Sequence, residues 1–156
     1  MINWKFNTFD ELSGKAVYEM LQLRNEVFVL EQNCPYQDAD GKDFEAVHVL
    51  GYDENGILVA YCRILKPGLA YATASIGRVV NSPSVRGTGT GRELMRQAVD
   101  YATVTLGLRI ITISAQSHLQ KFYEEFGFKR TPKREYLEDD IPHREMELNV
   151  FKKYNL

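Results

Sequence analysis

The chain has 156 residues, of which 44% are hydrophobic and 26% charged, and its formal net charge is -2. This length suits one compact domain around one core, and the ordinary composition excludes a disordered or collagen-like chain. The slightly negative net charge gives no general attraction for nucleic acid, which proteins bind through clustered Lys and Arg. We therefore expect residues 1–156 to form a single domain that does not bind nucleic acid.

The N-terminal residues and the cysteines indicate the cellular setting. The chain does not open with a basic segment followed by an apolar stretch, and no window approaches 18 consecutive apolar residues. This predicts a cytoplasmic protein without membrane association. Cys34 and Cys62 are far apart and match no metal or redox spacing, so we expect free buried thiols and no metal site.

The first half of the chain shows strand, helix and hairpin patterns in turn. Residues 2–6 alternate apolar and polar side chains, which predicts a half-buried strand. Asp10 is a plausible N-cap for an amphipathic helix that runs to about Glu31. The apolar runs 47–52 and 57–65 flank an Asp-Glu-Asn-Gly turn, and this arrangement predicts a β-hairpin.

The second half alternates short apolar runs with helical patterns. Residues 75–80 read as a central strand, and a helix follows a glycine-rich loop and ends near Gly107. Residues 110–113 predict a buried strand, residues 119–126 a short helix, and two β-rich segments follow. The predicted fold class is α/β (α+β), with a mixed, mostly antiparallel twisted sheet and helices on both faces.

The loop Arg86–Gly91, sequence RGTGTG, lies between a predicted strand and a predicted helix. Its backbone N–H groups and the donors of the first helical turn can converge on a phosphate, while Arg86 and the helix dipole add positive potential. A tight turn without a ligand is the alternative. Arg92 and Glu93 follow the last glycine, so neither a Walker A loop nor a dinucleotide fingerprint is completed.

Three motifs resemble the GCN5-related N-acetyltransferases (GNAT). Arg86-x-x-Gly89-x-Gly91 is similar to the Q/R-x-x-G-x-G/A loop with which that family holds the pyrophosphate of acetyl-CoA. The preceding strand Gly77–Val80 and the downstream segment FYEEFGF also match the family pattern. The stretches LQLRNEVFVLEQNCPYQDADG and AQSHLQKFYEEFGF resemble its ElaA-like bacterial branch.

The resemblance implies that acetyl-CoA is held where two neighbouring strands diverge. Tyr123 would be the catalytic general acid that protonates the departing thiolate, although an FYxxFGF helix also packs well with Tyr123 as a core residue. Backbone groups of Val79 and Val80 would pair with the pantetheine arm, and one N–H would face the thioester oxygen. Gln116 stands where the family has an asparagine. The implied cofactor-binding residues are Val79, Val80, Arg86, Gly87, Thr88, Gly89, Thr90, Gly91, Arg92, Gln116 and Phe122.

An acceptor amine must lose a proton before it attacks, since only roughly one lysine-like amine in 2,500 is neutral at pH 7. The candidate bases are Glu31, Asp38, Asp40, His48, His118 and His143. For His118, a cap on the helix that follows it is the alternative. For the loop 37–41 the sequence leaves two interpretations open: an acidic loop that attracts a cationic amine, or a solvated turn. Arg24 and Arg63 lie in apolar patterns, so each should reach solvent or pair with a carboxylate.

The predicted function is direct transfer of the acetyl group of acetyl-CoA to a primary amine, carried by a small molecule or a peptide. No base accompanies Cys34 or Cys62 in a nucleophile pattern, which disfavours a covalent acyl-enzyme. A non-catalytic acyl-CoA-binding sensor or interaction domain is the alternative. The resemblance also makes a homodimer one expectation.

Overall fold

The computed structural model describes residues 1–153, and eight strands of this part join in one mixed sheet. The strand order is β1-β2-β3-β4-β5-β8-β6, and β7 pairs with β8 outside this path. The strands are β1 (Asn3–Thr8), β2 (Val47–Tyr52), β3 (Leu58–Leu65), β4 (Ala74–Asn81), β5 (Ile110–Gln116), β6 (Lys129–Arg130), β7 (Tyr136–Glu138) and β8 (Ile141–Asn149). The α-helices are α1 (Gly14–Arg24), α2 (Thr90–Asp100), α3 (Gln120–Glu124) and α4 (Val150–Lys153).

The first helix begins later than the sequence predicts. Ser13 is its N-cap, because its Oγ accepts a hydrogen bond from the Ala16 N–H at 3.0 Å. The predicted cap Asp10 lies in a separate 3₁₀ turn, which is closed by Glu11 bonding back to Thr8. Beyond α1 the chain continues in wide π-type turns as far as Glu31, the predicted end.

Most predicted strands are confirmed within a residue or two, and the β2–β3 hairpin is antiparallel as expected. The C-terminal region differs, because it contains three strands rather than two β-rich segments. A tight turn at Asp139 and Asp140, both with positive φ, folds the short β7 back onto β8. Both cysteines are free; Cys62 is buried as predicted, whereas Cys34 is only half-buried.

Helices cover both faces of the sheet. Side chains alternate along β3, so Tyr61 faces α1 while Cys62 faces α2. The core under α1 includes Met20, Leu23, Val27, Leu50, Leu58, Tyr61 and Val80, and the larger core under α2 and α3 includes Ile64, Leu94, Met95, Ala98, Ile111, Ile113, Phe128 and Met146. The predicted fold class is therefore confirmed. In residues 1–153, no helix combines the length and apolar character needed to cross a membrane.

Two irregularities of β4 open the sheet at its centre. Arg78 and Val79 both oppose Cys62 of β3, and this β-bulge places Arg78 at φ 52°. On its other side, β4 pairs in parallel with β5 only at Ala74 and Ser75. Beyond Ser75 the two strands diverge, which leaves backbone groups of both strands free to bind a ligand.

Candidate active site

A groove of about 660 Å³ occupies the gap between the diverging strands β4 and β5. It brings together residues that lie far apart in the sequence: Glu31, Asp40, Arg78, Val79, Arg86, Gln116, His118, Tyr123, Glu138 and His143 all line it. A second depression, of about 520 Å³, lies between β1 and the start of α1 and contains none of the predicted site residues. The groove between β4 and β5 is therefore the candidate active site.

The two valines of β4 have different environments. Val79 lines the groove, whereas the side chain of Val80 is 3% exposed and packs in the core under α1. Val80 is also paired with Tyr61 of β3. Val80 does not line the groove, so the backbone contact with the pantetheine arm that the resemblance implies for it stays a prediction.

The glycine-rich loop has the backbone geometry of an anion cradle. Gly87 and Gly89 have φ values of 77° and 86°, a conformation that other residues rarely adopt. Gly89 is the N-cap of α2, and no side chain caps this helix. A Cβ on Gly91 would lie 3.0 Å from Nδ2 of Asn81, so glycine also permits the close approach of β4. The first-turn N–H groups of α2 are thus available to an anion.

Arg86 and Arg92 stand on either side of the loop glycines and are held by exposed carboxylates. Arg86 donates two hydrogen bonds to Glu31, at 2.6 and 2.9 Å, and Arg92 donates two to Glu125, at 2.9 and 3.1 Å. The Arg86 hydrogen bond lowers the pKa of Glu31, so Glu31 is ionised at neutral pH and is a poor base. These pairs are open to solvent and can exchange partners.

Tyr123 lies on α3, and its ring is 8% exposed at the inner end of the groove. Burial, with a smaller contribution from Cys62, raises the pKa of Tyr123 to about 12, so the phenol keeps its proton at neutral pH. The ring packs edge-on against Phe122 and Phe128, which fixes its orientation. Tyr123 is therefore both a core residue and a groove residue.

Three predicted residues near α3 occupy different positions. Gln116 ends β5, directly opposite His143 of β8, and lines the groove. Phe122 packs against Tyr123 and Phe126 and does not line the groove. His118 lines the groove, but its predicted role as a helix cap is wrong, since neither the 3₁₀ turn that contains it nor α3 has a side-chain cap bond.

The acidic loop 37–41 does not present free negative charge. Asp38 and Asp40, together with Asp43, bind arginines in what we call the buried charge network: Arg24, Arg63, Arg78, Asp38, Asp40 and Asp43. Three positive charges balance three negative ones, so the loop is not an acidic attractant. Its residues other than Asp38 are exposed to solvent, as the alternative of a solvated turn predicts, but both of its aspartates are paired. The expectation that Arg24 and Arg63 pair with carboxylates is confirmed.

The geometry of the network is close and largely sheltered from water. Arg24, whose side chain is fully buried, donates to Asp38 at 2.8 Å and to Asp43 at 2.9 Å. Arg63 donates to Asp40 at 2.6 and 2.8 Å and to Asp43 at 2.9 Å. Burial alone would raise the pKa of Asp40, but hydrogen bonds from Arg63 and the Lys42 backbone outweigh it and hold this pKa well below its usual range.

This pairing removes three of the candidate bases. Asp38 and Asp40 each contact two arginines, so the oxygens of both carboxylates are already engaged. His48 is completely buried between the Tyr61 hydroxyl and the Asp43 carbonyl, and burial lowers its pKa. None of the three can take a proton from an acceptor in the groove.

The opposite wall of the groove holds a polar cluster that no sequence motif predicts. Ser114 of β5 donates to Glu138 of β7 at 2.7 Å and bonds to the Tyr136 hydroxyl at 2.5 Å. His143 of β8 stacks against Tyr136, and its Nε2 lies 3.6 Å from Glu138. Only His143 was a candidate from sequence, because the β7–β8 hairpin that assembles the others carries no motif.

Comparison with known proteins agrees with this geometry. The sequence model of the acetyltransferase (GNAT) domain matches residues 8–150. Protein ElaA of Escherichia coli is 45% identical over 146 residues, which cover 92% of this chain and 94% of ElaA, and a UPF0039 protein of Synechocystis is 43% identical over 129 residues, which cover 83% and 84% of the two chains. An acyl-CoA N-acyltransferase of Pseudomonas aeruginosa superposes with a TM-score of 0.89 at 41% identity, over 95% of this chain and 99% of that one.

The chain therefore belongs to the GNAT acetyltransferase family, whose fold supports acyl transfer from an acyl-CoA. Its similarity extends to the ElaA-like branch, because the crystal structure of E. coli ElaA covers 96% of this chain with a TM-score of 0.88. The resemblance inferred from the glycine loop and the FYEEFGF segment is confirmed.

Proposed function

We propose that this protein transfers the acetyl group of acetyl-CoA directly to a primary amine. The observation that carries the proposal is the groove between β4 and β5, which is lined by a protonated tyrosine and by Arg86, the first residue of the glycine-rich loop that leads into α2. The family supports an acyl-CoA donor. Acetyl is the acyl group and a primary amine is the acceptor in this proposal.

The pyrophosphate of acetyl-CoA would bind the loop that starts α2. Arg86 and Arg92 supply positive charge, while the backbone N–H groups of residues 87–91 and the helix dipole supply oriented donors. The pantetheine arm would lie along the free edge of β4, with Val79 and Gln116 on either side. Val80 contributes its backbone only, and Phe122 supports the ring of Tyr123.

Tyr123 would protonate the sulfur as the carbon–sulfur bond breaks. Burial keeps the phenol in its acid form across the physiological range, and the aromatic packing holds the ring in one orientation. A backbone N–H in the bulge of β4 would stabilise the oxyanion of the tetrahedral intermediate.

We also propose that residues 1–156 act as a single N-acetyltransferase domain in the cytoplasm. The match over residues 8–150 and one sheet that runs from β1 to β8 support the single domain. The acceptor amine would belong to a small molecule or a peptide.

Calorimetry and a thiol-release assay test the proposal together. The protein should bind acetyl-CoA and release free CoA with at least one member of a panel of primary amines. Gly89→Val should weaken acetyl-CoA binding, whereas Gly56→Val, which strains a similar positive φ of 75° in the β2–β3 turn, should not. Binding without thiol release would instead favour the sensor, and the absence of binding would exclude both functions.

The acid role of Tyr123 predicts a specific loss. Tyr123→Phe should lower kcat by about 100-fold or more, because the thiolate then leaves without a proton donor, while acetyl-CoA affinity stays near the parent value. Tyr52→Phe is a control for loss of a tyrosine hydroxyl outside the groove, since Tyr52 is half-buried on β2 beside the second depression. If Tyr123→Phe turned over as fast as Tyr52→Phe, the acid role would be excluded.

A further inference from the structure

The wall of the groove formed by β5, β7 and β8 contains a histidine in a defined tautomer. Nδ1 of His143 lies 2.7 Å from the carbonyl oxygen of Ile141. A carbonyl can only accept a hydrogen bond, so Nδ1 carries the hydrogen when the ring is neutral. The unprotonated nitrogen is then Nε2, the atom that can act as a base.

A carboxylate accompanies this nitrogen. Glu138 Oε2 lies 3.6 Å from His143 Nε2, and the same oxygen accepts the Ser114 hydrogen bond at 2.7 Å. Glu138 is 52% exposed, so a proton that reaches this pair can leave to solvent. The stacked ring of Tyr136 holds the imidazole plane. The arrangement can accept a proton, stabilise the imidazolium and release the proton to water.

His143 and Tyr123 approach the groove from opposite faces of the sheet. Ile113 pairs with Met146, and both lie in the core under α2 and α3, where Tyr123 also packs. His143 is three residues from Met146 on β8, so the alternation of side chains puts it on the other face, opposite Gln116. Both residues nevertheless line the groove, because the gap between β4 and β5 connects the two faces. An acid and a base thus stand on either side of the gap.

The other candidate bases are less well placed. Glu31 is held by Arg86, Asp40 by Arg63, and His48 is completely buried. His118 lines the groove, but the turn that contains it has no cap bond to orient it. His143 is the candidate that combines access to the groove with a fixed ring.

We propose that His143 is the general base that deprotonates the acceptor amine, with Glu138 as its partner, an assignment that rests on the proposed acetyl transfer. His143 Nε2 takes one proton from the ammonium group, and the freed lone pair forms the nitrogen–carbon bond with the thioester carbonyl. The carbon–sulfur bond breaks, and sulfur leaves with the proton of Tyr123. The second amine proton restores the phenol, so the net products are the amide, CoA thiol and one proton, which His143 and Glu138 pass to water.

The test compares His143→Gln with His118→Gln, a second groove histidine, in assays of thiol release across pH. The fastest alkylamine of the panel is one acceptor, and methoxyamine, which is already neutral at pH 7, is the other. The titratable groups in contact with His143 are Tyr136 and Glu138 of β7, and these two interact in turn with Tyr71 of the β3–β4 loop, and Tyr136 also with Glu145, which lies on the same face of β8. Glu138→Gln, at an exposed position, keeps the test informative if His143→Gln folds poorly.

His143→Gln should lower kcat/KM for the alkylamine by about 10²- to 10⁴-fold and abolish the rising limb of the pH profile, with a much smaller loss for methoxyamine. Glu138→Gln should also lower kcat/KM for the alkylamine, by less than His143→Gln, since the carboxylate beside Nε2 is lost. His118→Gln should keep the limb. An unchanged pH profile in His143→Gln, together with an unchanged kcat/KM in Glu138→Gln, would overturn this role alone. A parent protein that binds acetyl-CoA but acetylates no amine would overturn the role and the proposed transfer together.

Discussion

Arginine–carboxylate pairs flank the groove on two sides, and they differ in burial. In the buried charge network, Arg24 is fully buried, and Asp43 is 8% exposed and binds two arginines. At the loop that starts α2, the side chains of Arg86 and Glu31 are 44% and 43% exposed. Separating the buried ion pairs would cost on the order of several kcal/mol, so the buried charge network fixes the shape of the groove. The exposed Arg86–Glu31 pair is weak, so Arg86 can exchange the carboxylate for a phosphate.

The largest expected effect comes from breaking the buried charge network. Asp43→Asn should lower the free energy of unfolding by about 3–5 kcal/mol, because it leaves buried guanidinium charge without full compensation. Glu45→Gln is the matched control, since Glu45 lies on the same 3₁₀ turn but is exposed and pairs with Lys66 at 3.2 Å. Its loss should be at most about 1 kcal/mol. Urea unfolding of both variants measures the difference; equal losses would mean that the network adds nothing beyond a surface pair.

Acid should weaken the same network. Burial would raise the pKa of Asp43, but hydrogen bonds from Arg24 and then from Arg63 outweigh it, so the pKa is lowered in the folded state. A folded-state pKa below the unfolded value of about 3.9 contributes stability above that pH and loses it as pH falls further. The gap in unfolding free energy between the parent and Asp43→Asn should therefore shrink between about pH 5 and pH 2. A gap that stayed constant over this range would show that Asp43 is not ionised in the fold.

The contrast also explains which features the sequence could predict. Strands and helices can be predicted from apolar periodicity. The chemistry of the glycine-rich loop can be predicted too, because its residues 86–91 are contiguous in the sequence. The buried charge network joins Arg24 to residues 14 and 19 positions away and Arg63 to residues 20 and 23 positions away. No local pattern encodes such partners, and the aspartates of residues 37–41 therefore suggested an acidic attractant instead.

The cluster around His143 illustrates the same limit from another direction. The sequence identifies His143 only as one of six candidate bases. Its suitability as a base depends on the Ile141 carbonyl, which fixes its tautomer, and on Glu138 across the turn. Phe122 shows the reverse case. The resemblance implies that Phe122 binds the cofactor; the structure shows its ring packed against Tyr123 and outside the lining of the groove, so cofactor contact stays a prediction.

The smallest expected effect concerns the exposed pair. In the free protein Arg86 is bound to Glu31, so acetyl-CoA must compete with a carboxylate for the guanidinium if the proposed phosphate contact forms. Glu31→Gln should strengthen acetyl-CoA binding by roughly two- to five-fold, the range expected for an exposed ion pair, and the gain should fade at high salt. Glu45→Gln, which removes an exposed carboxylate remote from the loop, should leave the affinity unchanged. Weaker binding by Glu31→Gln would instead mean that Glu31 orients Arg86 toward the phosphates, and the exposed pair would then be as much a fixed part of the site as the buried charge network.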